Sequence, residues 1–222
     1  MPIGLIIGLS SSSLILFIVF LVFSLTNYKK RFDLVYDLRN HFPYEINYKS
    51  RFNDNLIGNI CLIASMVLST SSFACASYYL GHYYLLIVAI LSGSLYSLLN
   101  IFLFFSDIKY LKFHIFVVVL LSGLSFLTPA SIGLVGLFLY QQKESIPGLV
   151  YLIFGLLIGV FSFALIMNPK FSFNIQMKVV KLENGEEEVR RPTFIVMAFS
   201  EWLMTLFIFL SHILFILLLF LL

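Results

Sequence analysis

The chain has 222 residues, 60% hydrophobic and only 11% charged, with a formal net charge of +3. Soluble domains carry about 25% charged residues, so the composition excludes a soluble protein; a charge this small in loops of mixed sign argues against a nucleic-acid partner and is accounted for by anionic inner-leaflet lipid. Cys61 and Cys75 lie in one apolar stretch, about 21 Å apart along a helix, and cannot bond to each other there.

Six apolar stretches, at about 3–25, 56–80, 84–105, 113–139, 148–167 and 194–222, predict six transmembrane helices, each near or above the roughly 20 residues that cross a hydrocarbon core. Basic residues occupy alternate gaps. Lys29, Lys30, Arg31, Arg39, Lys49 and Arg51 fall in the first, Lys109 and Lys112 in the third, and Lys170, Lys178, Lys181, Arg190 and Arg191 in the fifth; the opposite side has only Lys143. Basic residues in short loops are retained on the cytoplasmic side. Loops 26–55, 106–112 and 168–193 are therefore expected to be cytoplasmic and both termini extracytoplasmic. Tyr78, Tyr79, Tyr83, Tyr84, Tyr140 and Tyr151 at the expected outer ends, with Tyr28, Tyr110 and Trp202 at the inner ends, match the aromatic belts of the two interfaces. The spans and short links leave room for a single polytopic domain, 1–222, and no separate soluble one. The excess of Phe (25) and Tyr (12) fits an AT-rich genome as well as selection, and the bacterial cytoplasmic membrane is the expected location.

The first stretch has no charge before it and three basic residues just after it, the reverse of a secretory signal, so it is expected to stay as a span. Its Gly4 and Gly8 are spaced as GxxxG. The helix is expected to run on into loop one, with Phe32, Val35 and Tyr36 on one side, until Pro43 ends it. On that helix Asp33, Asp37 and His41 recur at four-residue spacing, a row near the headgroups that could take a divalent cation or serve acid–base chemistry on a lipid phosphate. The plainer reading is a solvated face with an ordinary Lys29–Asp33 pair.

The middle spans carry polar groups at similar depth: Ser69 and Ser72 in the second, Ser92, Ser94 and Tyr96 in the third, Ser125 and Thr128 in the fourth. Cys61, Ser65, Ser69 and Ser72 line one side of span two, and Gly155 and Gly159 repeat GxxxG in span five, spacings that let helices approach closely. Asn100 reads as a packing hydrogen bond. Pro129 cannot donate to the Ser125 carbonyl and is expected to kink span four.

In the fifth loop, Phe171, Phe173, Ile175, Met177 and Val179 alternate with polar residues, and Asn184-Gly185 follows. This is the pattern of a half-buried strand and a type I′ turn, so a β-hairpin over 171–191 is expected, its apolar face covered by loop one, by the membrane surface or by a partner protein. In span six, counting back from Leu222 puts Glu201 among the inner headgroups and His212 near the midplane. The two share a helical face about 16 Å apart.

The expected fold class is an all-α integral membrane protein, a six-transmembrane-helix bundle with a small cytoplasmic β-hairpin between helices five and six. No cofactor, metal or nucleic acid is indicated, and no nucleophile or metal-ligand motif is present. The leading functional expectation is a non-catalytic subunit or accessory of a membrane complex, in contact with lipid and with a membrane-protein partner docked through the hairpin. The second is a small solute or ion transporter with a midplane polar cluster of His212, Ser69, Ser72, Ser92, Tyr96 and Thr128. The third is an interfacial lipid-modifying enzyme using Asp33, Asp37 and His41.

Overall fold

A computed structural model describes residues 3–47, 52–79, 84–105, 111–143, 146–169, 178–181 and 187–220. Among them are six helices long and apolar enough to cross a membrane: α1 (Ile3–Phe32), α2 (Leu56–Cys75), α3 (Tyr84–Phe105), α4 (Leu111–Lys143), α5 (Ile146–Ile166) and α6 (Val196–Leu219). Helices satisfy their own backbone groups, which a hydrocarbon environment demands. Consecutive helices from α1 to α5 pack side by side, and α6 reaches α1, α3, α4 and α5. In its most apolar window α6 is 67% buried and α5 only 17%. The last helix is thus the hub and α5 the rim, where Phe154, Leu157, Val160 and Phe161 stand exposed as side chains facing lipid would.

Hydroxyls join α1 to α2. Ser13 Oγ donates to the Ser65 carbonyl (2.8 Å) and Ser65 Oγ returns a bond to the Ser13 carbonyl (2.7 Å). Ser10 and Ser72 pair through their hydroxyls at 2.5 Å, and near the other end Asn55 Nδ2 donates to Ser24 Oγ at 2.7 Å. The α4–α5 contact rests on glycine instead. A Cβ added at Gly155 would lie 2.5 Å from the Pro129 carbonyl oxygen, and one at Gly148 would lie 2.6 Å from the Gly136 carbonyl oxygen. Of the second GxxxG pair, Gly155 is therefore used in this close approach, while a Cβ at Gly159 would lie 3.4 Å from the Phe126 ring. Around Gly4 and Gly8, by contrast, an added Cβ meets nothing within 4 Å.

Pro129 lies inside α4, which runs through it from Leu111 to Lys143. The Ser125 carbonyl that Pro129 cannot serve accepts a hydrogen bond from Ser162 Oγ of α5 at 3.0 Å. Ser162→Ala should therefore cost about 1 kcal/mol, the scale of hydrogen bonds within membranes, in a detergent melt. Pro129→Ala, which restores an N–H to that carbonyl, should cancel most of the loss. Equal losses with and without Pro129 would show that the Ser162 bond has another origin.

The helix extending from span one stops well before Pro43. Asp33 adopts a φ of 51°, left-handed backbone that Asp tolerates better than most residues and that a right-handed helix cannot continue through. Its N–H still donates to the Lys29 carbonyl at 2.9 Å. Loop one then folds into two short 3-10 turns, Pro43–Asn47 and Phe52–Asn55, the first lying against α1, α3 and α6.

The expected fold class needs one correction. The molecule is a helical bundle, and the hairpin with a half-buried strand over 171–179 is not supported. Residues 171–177 and the Asn184-Gly185 turn lie outside the described residues. What extended backbone is described, Lys178–Lys181 against Glu187–Arg190, is four residues a side and serves as a link between helices. Val179, the described member of the alternating apolar set, is 58% exposed. An isolated two-stranded ribbon is marginal in water unless an apolar face is covered, and period-two alternation alone cannot supply the cover.

Candidate functional site

The sequence's midplane cluster resolves into separate pairs. His212, 3% exposed, meets Ser69: its Nε2 lies 3.3 Å from Ser69 Oγ and 3.2 Å from the Ser69 carbonyl, and its Nδ1 lies 3.1 Å from the Ile208 carbonyl. Both ring nitrogens face a backbone carbonyl oxygen, each of which can only accept, and the Ser69 hydroxyl lies beside Nε2. Ser69 Oγ also pairs with Ser97 Oγ at 2.5 Å, so α2, α3 and α6 meet at one point. Phe73 covers the imidazole at 4.2 Å between ring centres. The other four members lie elsewhere. Ser72 pairs with Ser10 of α1, Thr128 Oγ1 donates to Ser92 Oγ at 3.1 Å, and the Tyr96 hydroxyl donates to the Met204 carbonyl. Beside His212 is a cavity of about 70 Å³, lined also by Ser10, Ser11, Leu14 and Phe209.

The loop-one row does not assemble. Once the helix has ended at Phe32, four-residue spacing no longer puts side chains on one face. Asp33 is exposed. The Asp37 carboxylate takes Arg39 Nε at 3.0 Å and Nη2 at 2.8 Å, together with the Arg39 backbone N–H at 2.9 Å. These bonds, the side-chain ones foremost, hold its carboxyl down at about 2. His41 turns its ring onto Tyr36 and Tyr28, at 4.8 and 5.8 Å, with Nδ1 against the Asp37 backbone.

A different pair forms at the basic end of the bundle. Glu201, in the second turn of α6, is 0% exposed; its Oε1 lies 3.2 Å from Nε2 of the buried His114, in the first turns of α4. Glu201 Oε2 is enclosed without a hydrogen-bond partner. Loop one closes over both residues. Tyr44 packs edge-on against the His114 ring at 5.1 Å. Trp202 donates its indole N–H to the His41 carbonyl at 3.0 Å and packs against Tyr36 at 5.9 Å. Burial, with the nearby Glu45 carboxylate adding to it, pushes the Tyr36 phenol well above its ordinary value. The cap is fastened to the segment preceding α6 by Arg191, which grips Glu45 with both terminal nitrogens at 2.7 and 2.9 Å. The Ile195 N–H, donated to the Arg39 carbonyl at 2.9 Å, adds a second tie.

Sequence reading singled out Glu201 but left it among solvated headgroups, and it missed His114 altogether. A signal was present. Both residues lie within two turns of the basic ends of their spans, so the alternating topology sets them at one depth. Among the described residues no three His, Cys, Asp or Glu side chains converge as a metal site would require. No family model, curated protein or solved structure matches the chain.

Proposed function

We propose that the chain is a non-catalytic membrane subunit, a compact scaffold whose polar interior serves to hold helix to helix. The observation that carries this reading is the use made of the midplane groups. Ser10–Ser72, Ser13–Ser65, Ser69–Ser97, Ser69–His212 and Ser92–Thr128 each join two different helices. Bonds of this kind contribute about 0.6 kcal/mol each on average within membranes. Together they fix which faces meet, which apolar side chains surrounded by apolar lipid do poorly. The bundle sits with loops one, three and five in the cytoplasm, in a bacterial cytoplasmic membrane, and works beside another membrane protein.

The second reading, a carrier centred on His212, has the 70 Å³ cavity in its favour. It predicts that His212→Gln abolishes flux while the fold survives. The scaffold reading predicts that purified chain in liposomes dissipates a proton or cation gradient no faster than empty vesicles, and that His212→Gln leaves the melting temperature nearly unchanged. It also predicts recovery of a stoichiometric membrane-protein partner from mild detergent. Flux that depends on His212 would overturn it.

Sidedness has its own test. With Cys61 and Cys75 replaced by alanine, a cysteine at Gln141 should react with an impermeant thiol reagent added outside, and one at Asp33 should not. The reverse pattern would invert the topology.

A further inference from the structure

We propose that Glu201 and His114 form a proton-binding site at the loop-one end of the bundle, and that its occupancy is coupled to how loop one closes over that end. This goes beyond the scaffold role, which makes no use of the pair. Three observations carry it. Both side chains are almost wholly enclosed, at 1% and 5% exposure. They bond to each other at 3.2 Å. The second carboxylate oxygen, Oε2, has no hydrogen-bond partner. An enclosed carboxylate oxygen without a partner is a polar atom that only a proton or a further donor can satisfy.

The surroundings fix what a proton changes. With one proton shared, the pair is neutral overall, either as imidazolium and carboxylate or as imidazole and carboxylic acid. Losing that proton leaves a buried anion, and gaining a second leaves a buried cation. Among the described residues, several ionisable and charged groups surround the pair. From loop one they are Tyr36, Tyr44, His41 and Glu45, the last neutralised by Arg191. From α3 the uncharged Asn100 is one step removed: its Oδ1 accepts from Thr205 Oγ1 at 3.0 Å, and that hydroxyl also lies 3.1 Å from the Glu201 backbone carbonyl. Either departure from one proton changes the charge of the pair by one unit, directly beneath Tyr44 and one residue from Trp202. Trp202 is held to the cap by the His41 carbonyl, so a change of charge at the pair is transmitted to loop one through that hydrogen bond and the ring contacts of Tyr36 and Tyr44.

Trp202 is also the chain's sole tryptophan, so tryptophan emission, excited selectively over the tyrosines, reports on this site. In the purified full chain in detergent, emission should change in a single step with pH over a scan from about pH 5 to about pH 9. Glu201→Gln should abolish it, and His114→Gln should move its midpoint by at least about one pH unit. His41→Gln should retain the transition, which separates the pair from the imidazole of the cap. A flat wild-type profile, a transition that survives Glu201→Gln, or one lost with His41→Gln would each overturn the proposal. If Glu201→Gln fails to fold, wild-type infrared difference spectra between the two ends of the titration decide: a protonated-carboxyl band that changes supports the site, and an unchanged one overturns it.

Discussion

Adding one methyl group at Gly155 should destabilise the bundle by about 2–3 kcal/mol, the upper part of the range for an overfilled core, whereas the same change at Gly159 should cost almost nothing. Both glycines belong to one GxxxG pair on α5, and their surroundings differ. A Cβ at Gly155 would lie 2.5 Å from the Pro129 carbonyl oxygen, 2.8 Å from Gly133 Cα and 2.9 Å from Gly133 N. All three are backbone atoms of α4, so relief requires the helices to move apart, and that movement would break the Ser162 bond to the Ser125 carbonyl. At Gly159 the nearest atom is 3.4 Å away on the Phe126 ring, an ordinary contact with a side chain that can turn. Gly4→Ala and Gly8→Ala on α1, where no atom lies within 4 Å, serve as silent controls. Thermal melts in detergent should rank Gly155→Ala far below the other three. Equal melting temperatures across the series would mean that α4 and α5 do not pack through glycine.

The helices were legible because a spanning helix needs only length and apolarity, both local properties of the chain. Which polar residues would pair was less legible. The sequence grouped His212 with Ser69 and four other residues by depth alone, yet depth leaves the rotation of each helix open. Ser69 and Ser72 lie three residues apart, one turn along the helix and only about 60° apart around it, yet Ser69 meets α3 and α6 while Ser72 meets α1. The row of Asp33, Asp37 and His41 depended on a helix persisting to Pro43, and one residue in left-handed backbone at Asp33 removed the shared face. The strand over 171–179 depended on alternation, which describes what a covered strand looks like but not whether anything covers it; Val179 stands exposed. Glu201 was placed among the inner headgroups because the count from Leu222 put it at the interface, and nothing in that count reports loop one folding back to seal the interface.

Removing one member of the Glu201–His114 pair should cost far more than removing both. In His114→Leu the Glu201 carboxyl remains at 0% exposure with Oε1 as well as Oε2 lacking a donor. Breaking a buried pair from one side typically costs about 3–5 kcal/mol. Glu201→Leu leaves the imidazole without its carboxylate, but Tyr44 still packs against the ring and a neutral imidazole is less costly to bury than an anion, so its loss should be the smaller. The double variant removes both polar groups and leaves two leucines facing each other between α4 and α6. Apolar replacement of a whole buried pair is often neutral or stabilising, so the double variant should recover most of what His114→Leu loses. The coupling free energy of that cycle, measured by denaturation in mixed detergent, should be at least about 2 kcal/mol, within the range for residues in direct contact. Simple additivity would mean that the two side chains do not sense each other. In that case the enclosure of Glu201 beneath loop one, and with it the tie from Trp202 to the His41 carbonyl, would have to be held by the aromatic cap alone.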